Sequence, residues 1–246
     1  GTTLATNAII ERKGARTALL VTEGFRDSVE MAYENRFEQY DLGVERPKPL
    51  VPRYLRWPVS ERMGPAGQVW AALDENSVRA LLPKLEAERI ESVAVGFLHA
   101  YANPTNERRA AEIISEARPD LSISISSDVC PEVREYERLS TTCANAYVQP
   151  LMARYLSELE AGLKSIGADC PLLLMMSSGG VTTLETGIDF PIRLVDSGPA
   201  GGAILACDIA AICGAPNALS FDMGGTTAKI CLIDNGVAQT SRGFEI

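Results

Sequence analysis

The chain has 246 residues, 46% hydrophobic and 22% charged, enough to bury one large or two modest cores, which excludes disordered, collagen-like and coiled-coil classes. Lys and Arg number 23 against 32 Asp and Glu, a net charge of −9, so there is no global positive field to hold a nucleic acid or an anionic membrane, although backbone amides can still bind a phosphate locally. Six cysteines without a C-x-x-C pair and a single histidine, His99, exclude zinc fingers and a disulfide framework, leave little material for a hydrolase triad, and read as free thiols in a reducing cytoplasm.

In chain order, Leu4, Ala5, Ala8 and Ile9 recur at helical spacing, with Thr2 and Thr3 as candidate caps and Lys13-Gly14 as the stop. The apolar run 17–22 reads as a buried strand turning at Glu23-Gly24. Residues 40–67 carry Pro47, Pro49, Pro52, Pro58 and Pro65 and suggest an extended excursion with an edge hairpin around residues 54–57. A helix from Asn76, a strand over 92–98, a helix over 106–117 and an alternating strand over 121–126 follow. Such alternation predicts an α/β sheet with helices packed on it. Residues 135–166 read as a long helix or a helix pair kinked or restarted at Pro150.

A strand over 171–176 runs into Ser177-Ser178-Gly179-Gly180. The turn Ser197-Gly198-Pro199-Ala200-Gly201-Gly202 then feeds an apolar helix over 203–213. The nearly uncharged stretch 198–221 contains Asp208 and is broken by Pro199, Gly201, Gly202, Gly214 and Pro216, which predicts a buried helix rather than a membrane span. Strands over 218–222 and 228–233 flank a turn at 223–227. No signal peptide opens the chain, and its start at Gly1, without Met and inside a helix entry, suggests a piece of a longer protein.

Chemistry concentrates in that last hairpin. Asp222 stands at a strand end, followed by Gly224, Gly225, Thr226 and Thr227. Paired glycines allow positive φ and expose successive N–H groups to phosphate oxygens, and the carboxylate is placed to hold a magnesium-bound water. A tight hairpin whose glycines serve only the turn is the competing reading. Lys229, on the returning strand, faces either phosphate or solvent. His99 is a structural or a catalytic histidine in the loop after its strand. Glu132, Glu135 and Glu137 with Arg134 and Arg138 form a solvated charged face or an interface. Thr2, Thr3 and Asn7 cap a helix or border a cleft, and Ser178-Gly179-Gly180 is a cleft turn or an ordinary one.

Taken together, Gly1-Thr2-Thr3-Leu4-Ala5-Thr6-Asn7-Ala8, Glu11-Arg12-Lys13-Gly14, Thr22-Glu23-Gly24-Phe25-Arg26-Asp27, Glu135-Tyr136-Glu137-Arg138, Ser178-Gly179-Gly180, the 197–202 segment and residues 220–227 resemble the A subunit of the hydantoinase/oxoprolinase family. That family lies within the actin-like, sugar-kinase and heat-shock ATPase superfamily. The resemblance implies an α/β, actin-like ATPase (ribonuclease H-like) lobe with a mixed sheet and flanking helices, and an incomplete second lobe. Residues 1–196 would be the remainder of the first lobe, without the family's upstream Asp-Gly-Gly-Thr hairpin. Residues 197–246 would be the junction helix and opening phosphate hairpin of the second.

The activity so implied is ATP-dependent hydrolysis of a cyclic amide such as a hydantoin or 5-oxoproline, in the cytoplasm, with ATP and Mg2+ and with a B-type subunit or fused region as partner. An ATP-dependent ketone carboxylase is the alternative. On this resemblance Asp222 serves catalysis and metal, while Gly224, Gly225, Thr226, Thr227, Ser197, Gly198, Gly201, Gly202, Thr2 and Thr3 contact the nucleotide. Many relatives carry Thr-Asp where Ala228 and Lys229 stand here, which leaves Asp222 as the magnesium carboxylate.

Overall fold

The computed structural model describes residues 3–33, 40–43, 45, 47–224 and 228–241. Its elements in chain order are α1 (Leu4–Ile10), β1 (Thr17–Thr22), α2 (Ser28–Met31), β2 (Arg56–Val59), β3 (Arg62–Met63), β4 (Val69–Ala71), α3 (Glu75–Arg79), α4 (Leu82–Ala87), β5 (Ser92–Gly96), α5 (Thr105–Ala117), β6 (Ser122–Ile125), α6 (Ser126–Val129), α7 (Glu135–Ser165), β7 (Leu173–Met175), β8 (Val181–Thr183), α8 (Leu184–Asp189), α9 (Ser197–Ile212), β9 (Ala218–Met223), β10 (Ala228–Asp234) and β11 (Val237–Ala238). They form two compact units, Gly14–Leu151 on the one hand and Gly1–Lys13 with Met152–Ile246 on the other.

Gly14–Leu151 is built on an all-parallel sheet in the order β2-β1-β5-β6. Every residue of β1 and β5 is buried, as expected for central strands covered on both faces, and their near-continuous apolar runs follow from that. The core joins Leu19, Leu20 and Val21 to Val93, Val95, Ile113 and Ile114, and takes Leu139, Cys143 and Ala146 from α7. Helix α7 approaches β5 closely because Gly96 has no side chain: a Cβ there would overlap Leu139.

Two local expectations are corrected. Residues 54–57 do not make an edge hairpin. A 3-10 turn over Arg53–Leu55 leads into β2, which pairs parallel with β1. As the edge strand, β2 tolerates Pro58, whose missing N–H would leave a ladder hydrogen bond unmade in a central strand. The hairpin lies further on, between β3 and β4. Of the two readings of residues 135–166, the single long helix holds: α7 runs continuously from Glu135 to Ser165 with Pro150 inside.

Gly14 does not end α1. The helix stops at Ile10, and Arg12 adopts φ 56° while the Lys13 N–H bonds the Ala8 carbonyl, an αL closure of the last turn. Gly14 serves close packing instead. The Ala15 N–H donates to the Tyr147 carbonyl at 2.8 Å, and a Cβ on Gly14 would overlap the Tyr147 ring and lie 2.6 Å from that carbonyl oxygen.

In the other unit, β7 and β8 form an antiparallel hairpin whose turn places Gly179 at φ 88°. Strands β9, β10 and β11 form an antiparallel sheet with β10 in the middle. Parallel and antiparallel pairings therefore occupy separate sheets. The register pairs Asp222 with Lys229, Ser220 with Cys231 and Ala218 with Ile233, which puts these six on one face. Leu219, Phe221, Met223, Ile230 and Leu232 occupy the opposite face, each half or more exposed. Among the described residues no helix is long and apolar enough to cross a membrane.

Candidate functional site

The 197–202 segment is not a turn that feeds a helix. It is the first turn and a half of α9, which begins at Ser197. Pro199 fits there because its missing N–H falls among the donors that a helix start leaves unpaired, and its fixed φ suits the first turn. Gly198 and Gly202, four residues apart and so on one helix face, face open space where a side chain would stand, whereas a Cβ on Gly201 would lie 3.6 Å from the Met175 side chain. The backbone is thus bare on the Gly198/Gly202 side. Ser197 is buried.

The residue before the helix is Asp196, in the left-handed region at φ 57°, ψ 23°, with no side-chain cap bond to the helix. Its N–H donates to the Thr6 hydroxyl of α1 at 3.4 Å. Its carboxylate accepts from the Lys229 ammonium at 2.7 Å, and the two side chains are only 19% and 27% exposed. The N–H groups of the first helical turn therefore keep their partial positive charge without a side-chain cap to quench it.

Asp222 lies in β9 and is exposed, and Gly224, just beyond the strand, is exposed too. Because Asp222 is the direct register partner of Lys229, its carboxylate shares the sheet face from which Lys229 reaches Asp196. Thr3 is exposed at the N-cap position of α1 and makes no side-chain capping bond, so the expected hydroxyl cap is absent there. Thr2, Gly225, Thr226 and Thr227 lie outside the described residues. The structure thus brings Ser197, Gly198, Gly202, Asp222 and Lys229 into one assembly through Asp196. Lys229 is held by Asp196 rather than free in solvent.

Asp196 escaped the sequence reading. Its signal was its position, since an Asp directly before a helix start is a favoured cap, but the glycines after it disguised that start. Among the described residues no group of three or more His, Cys, Asp or Glu converges on a metal-sized space. A magnesium ion here would rest on Asp222 and the phosphates themselves, a donor set that suits a cation which keeps most of its waters.

In Gly14–Leu151 the charged 132–138 segment is not simply a solvated face. Arg138 is fully buried. It donates to the Ser126 hydroxyl at 3.2 Å, the Glu132 carbonyl at 2.7 Å and the Phe97 carbonyl at 3.1 Å. The Ser126 hydroxyl in turn donates to Glu107 at 2.6 Å, and Glu107 also accepts from the Phe97 and Ser127 amides. Burial raises the Glu107 pKa against those three donors.

In the same unit, the buried Glu61 takes the Thr22 hydroxyl on one oxygen and the amide of Asn106, the neighbour of Glu107, on the other. Its pKa is likewise raised, chiefly by burial. His99, at φ 55° after β5, is half-buried and stands edge-on to Tyr101, whose hydroxyl is 3.4 Å from Nδ1.

With this geometry in place, the comparisons define the class. The α/β architecture is that of actin-like ATPase lobes, as in the crystal structure of ATP-dependent caprolactamase from Pseudomonas jessenii, which superposes with a TM-score of 0.86 at 34% identity over 94% of this chain and 34% of that one. Nucleotide-free acetone carboxylase superposes at 0.85 with 29% identity, over 95% and 34%. The hydantoinase/oxoprolinase N-terminal region matches residues 1–118 and the hydantoinase/oxoprolinase model matches residues 138–246, and the chain belongs to that family.

By sequence it is 33% identical to the alpha subunit of the Pseudomonas jessenii caprolactamase over 98% of this chain and 35% of that subunit. It is 31% identical to 5-oxoprolinase of Saccharomyces cerevisiae over 96% and 20%. The chain therefore spans about a third of the first relative and a fifth of the second.

Proposed function

We propose that these residues form part of the nucleotide site of an ATP-dependent cyclic amidohydrolase. The observation that carries this is the ion pair from β10 to the residue before α9. It brings the Asp222/Lys229 end of the β9–β10 strand pair to the uncapped start of a helix, so that two sets of backbone amides can address one polyphosphate. Asp222 would hold magnesium or its water. Gly224, Gly225, Thr226 and Thr227 would hold phosphate oxygens from the hairpin, and Ser197, Gly198, Gly201 and Gly202 would do so from the helix start, with Thr2 and Thr3 at the entry of α1. Magnesium, when bound, supplies positive charge to the β- and γ-phosphates.

The chemistry follows from the weakness of an amide carbonyl as an electrophile. Transfer of the γ-phosphoryl from ATP to the ring carbonyl oxygen yields ADP and an O-phosphorylated imidate. One water adds at the activated carbon, the C–N bond breaks with its electron pair going to nitrogen, and a second water releases inorganic phosphate. Positioning and charge neutralisation dominate such a transfer, which is what amides, hydroxyls and a single carboxylate can provide. A B-type subunit or fused region would complete the ring-opening site.

The likeness to acetone carboxylase favours a second reading, a ketone carboxylase built on the same nucleotide site. ADP release from the intact enzyme with its partner, followed against caprolactam, hydantoin, 5-oxoproline and acetone plus bicarbonate, separates the two. The expected result is ATP turnover coupled to opening of a lactam or imide. Turnover with ketone alone would replace the first reading by the second, and absence of Mg-ATP binding would remove both.

A further inference from the structure

We infer that Lys229 is a positioning residue that straps the phosphate hairpin to the start of α9 through Asp196, rather than a direct phosphate ligand. This rests on the nucleotide reading above and deepens it. Three observations converge. The Lys229–Asp196 pair joins residues 33 apart in sequence at 2.7 Å, and both groups are more buried than in ion pairs such as Lys13–Glu11, Arg16–Glu88, Arg53–Asp27, Arg79–Glu75 and Arg108–Asp128, whose partners are 40–74% exposed. A desolvated pair of this kind fixes geometry in a way a solvated surface pair does not.

Asp196 also holds a left-handed backbone conformation, a strained one that its surroundings must enforce. Here both ends of the residue are anchored, the N–H on Thr6 and the carboxylate on Lys229. Finally, Lys229 directly faces Asp222 across the β9–β10 ladder. Holding Lys229 therefore holds the strand pair that carries the candidate magnesium carboxylate.

The strap predicts a dependence on both partners. Lys229→Ala and Asp196→Asn should each weaken Mg-ATP binding about tenfold, measured by titration calorimetry on the intact protein well below its melting temperature. The double variant should be no weaker than either single one, because both remove the same link. The charge-swapped pair, Lys229→Asp with Asp196→Lys, should recover to within about threefold of wild type, and Lys229→Arg should retain most of the affinity. KM for ATP should rise more than kcat falls.

A lysine that touches phosphate behaves differently. Lys229→Ala would then be weak while Asp196→Asn stays normal or binds more tightly, and the swap would not recover; that pattern overturns the inference and leaves the nucleotide site standing. Lowered melting temperatures with unchanged ATP affinity in both single variants would overturn it as well, by showing a purely structural pair. Wild-type protein that fails to bind Mg-ATP overturns the functional reading and the strap together. Should Lys229→Ala not fold, the near-isosteric Asp196→Asn and the swapped pair decide.

Discussion

Replacing Arg138 with methionine should destabilise the Gly14–Leu151 unit by about 3–5 kcal/mol, the range for removing one member of a buried, hydrogen-bonded charge assembly. Methionine fills much of the stem volume, so the loss reports the guanidinium rather than a cavity. Without it the Phe97 and Glu132 carbonyls lose their donors, and Ser126 loses the donor that orients its hydroxyl toward Glu107. Each orphaned buried acceptor costs about 1–3 kcal/mol. Lysine should rescue little, because one ammonium cannot match a planar fork that reaches a hydroxyl and two carbonyls at once. Urea unfolding of wild type and variant measures the difference, and a change below about 1 kcal/mol would mean that the network is not what holds the ends of β5 and β6 to α7.

Asp222→Asn should lower ATP turnover by at least ~10²-fold, roughly 2.7 kcal/mol of transition-state stabilisation. Asparagine keeps the size and one carbonyl oxygen of the side chain but removes the charge that would organise a divalent cation. Because Asp222 is exposed, the substitution should leave the unfolding midpoint nearly unchanged, so a fall in turnover reads the site and not the fold. Raising magnesium should restore part of the activity if the carboxylate acts through the metal. Turnover at the wild-type rate would remove Asp222 from the site and leave the hairpin to its amides.

The parallel core was legible because its strands are buried on both faces and so read as unbroken apolar runs: residues 17–22 and 92–96 need no periodicity to be seen. The start of α9 was not legible. Gly198, Pro199, Gly201 and Gly202 are turn residues by local preference, yet they form the first residues of α9 behind the anchored Asp196. The Pro-rich 47–58 stretch misled in the same way, since a proline is acceptable at the open edge of a sheet that local sequence cannot reveal.

Arg138 was read by its charge, which favours solvent, and not by the set of buried carbonyls that captured it. In the candidate site, Asp222 and its glycines announce themselves by composition. Asp196 and the partnership of Lys229 are long-range facts: a residue 33 positions away decides which way a lysine points.

The two shielded acids, Glu61 and Glu107, bear on how this unit responds to acid. Both hold their protons more tightly folded than unfolded, because burial outweighs the hydrogen bonds that favour the ionised form. Their cost to folding is therefore absent below the unfolded carboxylate value near 4.5 and grows as pH rises from there toward the raised folded values. Glu61→Gln should mimic the protonated state, since its amide can donate to a reoriented Asn106 while its oxygen still accepts from Thr22. In thermal melts across pH 4 to 8 the variant should gain on wild type as pH rises. A constant offset between the two curves would show that Glu61 holds its proton no more tightly folded than unfolded. Proton uptake, often a trigger for collapse, would here relieve strain at the carboxyl end of the sheet.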